Sequence, residues 1–176
     1  MRKLKTSRLL NSTVAAMLLC LGACGGGSAD PSEALETAKE AVQAGDHEAA
    51  LASFKEVTGN TGADAGTRYQ AMRDSVACEA YVNGDEGATG AWEALKKEFA
   101  NRLDVDTMAK VGQDVASAGC TDTAMIIIEV ATAKAGDDAT AKNKLQVLGD
   151  MIAKAAAATG DNATLERLKS LGYVGN

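Results

Sequence analysis

Few side chains in this chain can perform chemistry, and their spacing restricts what that chemistry could be. His47 is the only histidine, so metal sites and proton relays that rely on several imidazoles are excluded by count. It follows Gly45-Asp46 at an expected helix start, where a solvated histidine is the ordinary occupant. Asp104/Asp106 and Asp137/Asp138 pair carboxylates, but the ligand spacing of an EF-hand loop is missing. Acids at helix starts already serve as caps and complement the helix dipole. Gly25-Gly26-Gly27 is followed by no Gly-Lys-Ser or Gly-Lys-Thr, so it is no phosphate loop. No catalytic residue, metal site or cofactor is predicted. What remains is sulfur, at Cys20, Cys24, Cys78 and Cys120.

Cys24 closes the run Leu21-Gly22-Ala23-Cys24, behind a basic flank of Arg2, Lys3, Lys5 and Arg8 and a mostly apolar stretch from Leu9 to Ala23. A spanning helix needs about 20 apolar residues; this stretch is shorter and carries Asn11, Ser12 and Thr13. A secretory signal needs only about 7–15 apolar residues before small side chains at its cleavage point. These residues resemble the lipobox of bacterial lipoproteins. The resemblance implies that residues 1–23 are a signal peptide, that the thiol of Cys24 carries a diacylglycerol with palmitate-type chains, and that the mature protein stays tethered to a membrane. Cys20 fits poorly, because bulky Leu19 precedes it where the lipobox requires a small side chain. Gly25 after the lipidated position, in place of Asp, favours the outer membrane facing the periplasm, by resemblance to lipoprotein sorting in enteric bacteria.

Without its leader the chain keeps 153 of its 176 residues, the length of one ordinary domain. Residues 24–29 read as a flexible tether and 30–176 as the domain. The leader holds four basic and no acidic residues, so the remainder carries 14 Lys and Arg against 24 Asp and Glu, a formal charge of −10. Nucleic acid is thereby excluded as a partner, since phosphate binding rests on clustered Lys and Arg. Abundant alanine, few aromatics and the single Pro31 suit close-packed helices and not a strand-rich sandwich.

Helix signals recur along the whole domain. Asp30-Pro31 starts a helix running to Gly45, and Asp46 caps a second with Leu51, Phe54 and Val57 inward. A third is expected over 65–83 and a fourth from Asp85, with Trp92, Leu95 and Phe99 on its apolar face. A fifth is capped by Asp104 or Asp106, and a sixth by Thr121, although Met125-Ile126-Ile127-Ile128 is β-branched enough for a strand to compete. A long seventh follows Gly136-Asp137 and a short eighth follows Gly160-Asp161. The tail Leu168 to Val174 should cap this last helix with Tyr173 packed back.

Glycines 45, 84, 119 and 160 are separated by 39, 35 and 41 residues, and seven positions before each stands a small residue: Ala38, Ala77, Gly112 or Ala153. At these positions, together with Val111, Val115, Ala124, Ile128, Ala131, Ala50 and Phe54, the chain resembles the tetratricopeptide repeat family in degenerate form. The expected fold is all-α, about eight helices in antiparallel hairpins, stacked as a tetratricopeptide-like solenoid or an irregular bundle. By that resemblance the first helix of each hairpin lines an inner groove, and the candidate groove residues are Lys39, Asp74, Tyr81, Gln113 and Lys154.

An oxidising envelope would pair Cys78 with Cys120, and a structural disulfide between them is the expectation. The repeat register sets the two about 10 Å apart along the helices, whereas bridged Cα atoms lie about 4.4–6.8 Å apart, so buried free thiols are the alternative. The functional expectation is a non-enzymatic, lipid-anchored adaptor of the bacterial envelope that binds another envelope protein or a peptide. The alternative is a small-ligand-binding lipoprotein, which a convergent apolar cavity above about 300 Å³ would favour.

Overall fold

The computed structural model describes residues 30–175; the expected signal peptide, Cys24 and the tether lie outside the described residues. Within them every regular element is helical: α1 Pro31–Ala44, α2 His47–Gly59, α3 Ala65–Phe99, α4 Val105–Ser117, α5 Thr121–Ala135, α6 Ala139–Thr159 and α7 Asn162–Leu171, with a 3-10 turn Ala100–Arg102 after α3. Aspartates start six of these helices. Asp30, Asp46, Asp64, Asp104, Asp138 and Asp161 each accept a hydrogen bond from a backbone N–H of the first turn, and each such cap stabilises its helix by about 1 kcal/mol.

α3 is two helices in one run. At Gly84 the backbone takes φ 66° and ψ −157°, a region that side chains with a Cβ rarely enter, and the chain doubles back. Arg68 in the first arm, 65–83, pairs with Glu98 in the second arm, 85–99. The Tyr69 and Phe99 rings meet edge-on at 5.4 Å, so the arms lie antiparallel. The described residues therefore form a stack of four helical hairpins: α1–α2, the two arms of α3, α4–α5 and α6–α7. The four turn glycines of the sequence register all have positive φ.

Two cores share α3. A smaller one gathers Leu35, Ala38, Leu51, Phe54 and Val57 with Ala71 and Cys78 of the first arm. A larger one is built on Trp92, Leu95, Met108, Met125, Ile127, Ile128, Leu145 and Leu148, to which the same arm gives Val76 and Ala80. The Met125 to Ile128 run is helical because α5 is packed by both α4 and α6, and its first helical turns present apolar surface to each. Gly112 shows why a small residue is wanted seven before the turn. A Cβ there would meet Leu148 at 2.5 Å and Ile127 at 3.2 Å, so α4 approaches both α5 and α6 closely.

α5 departs from its expected cap. Its N-cap is Cys120, whose side chain makes no capping hydrogen bond. Asp85 reaches over from the neighbouring hairpin, its Oδ1 accepting from the Thr123 backbone N–H at 2.8 Å and from the Thr123 hydroxyl at 2.9 Å.

The tail folds back as expected. Tyr173 is buried, its hydroxyl lies 2.8 Å from Thr132 Oγ1, and Gln146 donates to its carbonyl at 3.1 Å. Its ring root lies against bare backbone, since a Cβ on Gly149 would stand 2.7 Å from that of Tyr173. Gly149→Ala should therefore lever the tail off α6 and cost about 1–3 kcal/mol, the usual range for overpacking. Urea denaturation followed by circular dichroism checks it, and an unchanged midpoint would contradict this packing.

Candidate functional site

The described residues form a groove of about 690 Å³. Its walls come from the first helices of three successive hairpins, with Val42 from α1, Arg73, Asp74, Ala77, Cys78 and Tyr81 from the first arm of α3, and Asp106, Thr107, Lys110, Val111, Asp114 and Ser117 from α4. His47, the first residue of α2, closes one end. The α4 residues recur at intervals of three and four, so one helical stripe faces the groove.

His47 is half-buried and not the solvated residue expected at that helix start. Its ring stacks on Tyr81 with centroids 4.0 Å apart and planes 5° from parallel. Nδ1 of His47 also lies 3.9 Å from Cys78 Sγ. A cysteine beside a histidine raises the question of a nucleophile. The environment argues against one here: burial first, then the nearby charges of Asp74 and Glu79, push the Cys78 thiol up to about 11. A thiolate is the reactive form, and this site disfavours it.

The polar groups of the groove pair along its walls and, in one case, with α6 beyond them. Arg73 Nε donates to Asp74 Oδ1 at 2.7 Å, and Lys110 Nζ donates to both oxygens of Asp114 at 3.0 Å. Lys144 of α6 reaches over to Asp106 at 2.7 and 2.8 Å. The hydrogen bond with Asp74 holds the Arg73 guanidinium above its ordinary pKa, against the opposing effect of burial, with Asp114 adding a smaller favourable charge. Among the described residues no three His, Cys, Asp or Glu side chains converge as metal ligands.

Of the five residues predicted for the groove, Asp74 and Tyr81 line it. Gln113 sits beside Asp114 but off the lining stripe of α4, Lys39 pairs with Glu36 on α1 at 2.7 Å, and Lys154 is exposed on α6, beyond the three hairpins that form the walls. The sequence reading missed His47, Arg73 and Lys110. Asp106, Lys110 and Asp114, spaced by four on α4, were the available signal.

The expected disulfide is corrected by the structure: Cys78 and Cys120 are free and buried. Cys78 belongs to the smaller core and Cys120 to the larger one. Cys120 Sγ lies 3.5 Å from the Ala80 carbonyl, two residues beyond Cys78. Ala80 joins Cys120 in the larger core, and side chains two apart on a helix point about 160° away from each other, so α3 itself separates the thiols. Cys78 and Cys120 should both resist alkylation in the folded protein at pH 8 without reductant and each take up a label once it is unfolded, with no bridge between them to reduce. Because the Cys78 thiol is harder to ionise when folded, its contribution to stability is complete below its ordinary value of 9.0 and is lost as pH rises towards about 11. Denaturant midpoints measured across that window should fall, and a Cys78→Ala variant should lack this part of the fall.

No helix among the described residues is long and apolar enough to cross a membrane. Comparison of the chain with protein-family models, with curated proteins and with solved structures finds no match.

Proposed function

We propose that the protein is a lipid-anchored, non-enzymatic adaptor of the bacterial envelope, held at the membrane through Cys24 and binding a protein or peptide partner in the groove. One observation carries the binding half of this reading. Three successive hairpins each turn their first helix to the same concavity, as in the tetratricopeptide-like stack that the glycine register resembles. Rigid helices hold such a surface open without a ligand, so little ordering entropy opposes binding. The anchoring half rests on Leu21 to Cys24 and the apolar run before it. Two-chain acylation gives stable attachment, which an acidic body opposite anionic lipids requires.

A second reading, a small-ligand-binding lipoprotein, is favoured by the groove volume of about 690 Å³, inside the range of about 300–1,000 Å³ for small-molecule sites. The lining does not decide between the two: Arg73, Asp74, Asp106, Lys110 and Asp114 bring charge to it, while most of its surface is apolar, as in small-molecule sites.

A photo-cross-linker at Val42, on the groove rim, separates the two readings in intact envelopes. The adaptor reading expects a cross-linked protein from Val42 and none from Val147, which is exposed on α6 away from the groove. A co-purifying small molecule with no protein adduct at Val42 would favour the ligand binder. Intact mass tests the anchor separately: Cys24→Ser should lose the acyl mass and leave the membrane fraction, and a purified native chain that still begins with Met1 would refute it.

A further inference from the structure

We propose that the occupant of the groove is an extended peptide segment carrying a lysine or arginine, its cation seated between Asp74 and Asp114 and an apolar side chain three residues away lying on Tyr81 and Val42. This rests on the adaptor reading and names the class of partner.

Charge gives the first argument. The three carboxylates of the lining each have a cation partner, Asp106 through Lys144 of α6, but the domain around them carries a formal charge of −10, so a basic segment is drawn in and an acidic one repelled. Asp74 of α3 and Asp114 of α4 line the groove from two different helices and already seat a guanidinium and an ammonium. Lys110 is 75 % exposed in its pair, and pairs so exposed hold weakly, so an incoming cation can take its place. The floor of the groove also feels the negative charge, since Asp74 and Glu79 add to the burial that suppresses ionisation of Cys78.

The apolar end supplies an independent argument. Among the described residues the exposed large hydrophobic side chains are Val42, Tyr81 and Val147, and two of these three border this groove. One face of Tyr81 is covered by His47, yet the residue remains 48 % exposed, leaving its other face for a ligand. Asp74 and Tyr81 are seven residues apart on one helix face, about 10 Å at ~1.5 Å per residue. Three residues of an extended chain in the polyproline II conformation, at about 3.1 Å each, cover nearly the same distance and bring side chains three apart onto one side.

The test uses the intact protein in detergent and three fluorescein-labelled eight-residue peptides of glycine and serine, each with a leucine at the third position and lysine, glutamine or glutamate at the sixth. Fluorescence anisotropy should show the lysine peptide binding about tenfold or more tightly than the glutamate peptide, the scale of one charge-assisted hydrogen bond. Its affinity should fall with added salt while that of the glutamine peptide holds. Asp74→Asn with Asp114→Asn should abolish the lysine preference, and Tyr81→Ala should weaken every peptide. Should the double variant fail to fold, as circular dichroism would reveal, the salt dependence on the wild-type protein decides alone. Equal binding of all three peptides with loss on Tyr81→Ala would overturn the cation assignment and leave the adaptor reading standing. No binding by any of them would count against both.

Discussion

Trp92→Ala is expected to lower the stability of the domain by about 3–5 kcal/mol, the range for deleting a fully buried aromatic side chain. Trp92 lies in the second arm of α3, has no exposed surface and is the largest of the fully buried side chains. Its removal leaves a cavity in the larger core that the surrounding helices can close only in part. Trp92→Phe should behave differently. The indole Nε1 is buried with no hydrogen-bond partner among the described residues, and an unmet buried donor costs about 1–3 kcal/mol. Phenylalanine loses some packing but also removes that donor, so the net change should stay within about 1 kcal/mol. Urea unfolding at constant m-value distinguishes the two, and a Trp92→Phe loss as large as that of alanine would mean the indole N–H is satisfied.

Asp85→Ala is the second large effect, at about 2–4 kcal/mol. Thr123 has no exposed surface, and its N–H has Asp85 Oδ1 as acceptor at 2.8 Å. Alanine removes a helix cap, worth about 1 kcal/mol, and leaves that N–H buried and unpaired. The Thr123 hydroxyl keeps the Asp85 carbonyl at 3.1 Å and Thr89 Oγ1 at 2.8 Å, which sets an upper bound on the loss. Asp85→Asn retains a carbonyl oxygen in place and should recover about half of it. A thermal melt of Asp85→Ala indistinguishable from wild type would show that α5 does not depend on the neighbouring hairpin for its start.

The two variants mark where the sequence was readable and where it was not. Local signals sufficed for Asp30 and Asp46 and narrowed the start of α4 to Asp104 or Asp106, of which Asp104 is the cap, because each acts on N–H groups within three residues of itself. They sufficed for Gly84 as well, since a turn between helices needs a residue at ease with positive φ. The cap of α5 was assigned to Thr121 because nothing near it in sequence announces that Asp85, 38 residues earlier, supplies the acceptor. Thiol pairing failed for a related reason. Compartment chemistry argues whether cysteines oxidise but not which face of a shared helix each occupies, and Cys78 and Cys120 lie on different ones. Asp74 and Tyr81 were found in the groove through the repeat register. Lys39 and Lys154 came from the same register, but only the first three hairpins converge on the concavity, and α1 enters it through Val42 alone.

The division of the interior into two cores bears on how the molecule breathes. The pair α1–α2 owns a minor share of the apolar surface and meets the remainder through α3, so it should detach as a foldon of its own at lower free energy than global unfolding. In hydrogen–deuterium exchange its amides would lose protection together and ahead of those in α4 and α5. Each such excursion carries away Val42 and His47, one end of the groove, so a bound segment that bridges to α4 would slow exchange in helices it barely touches.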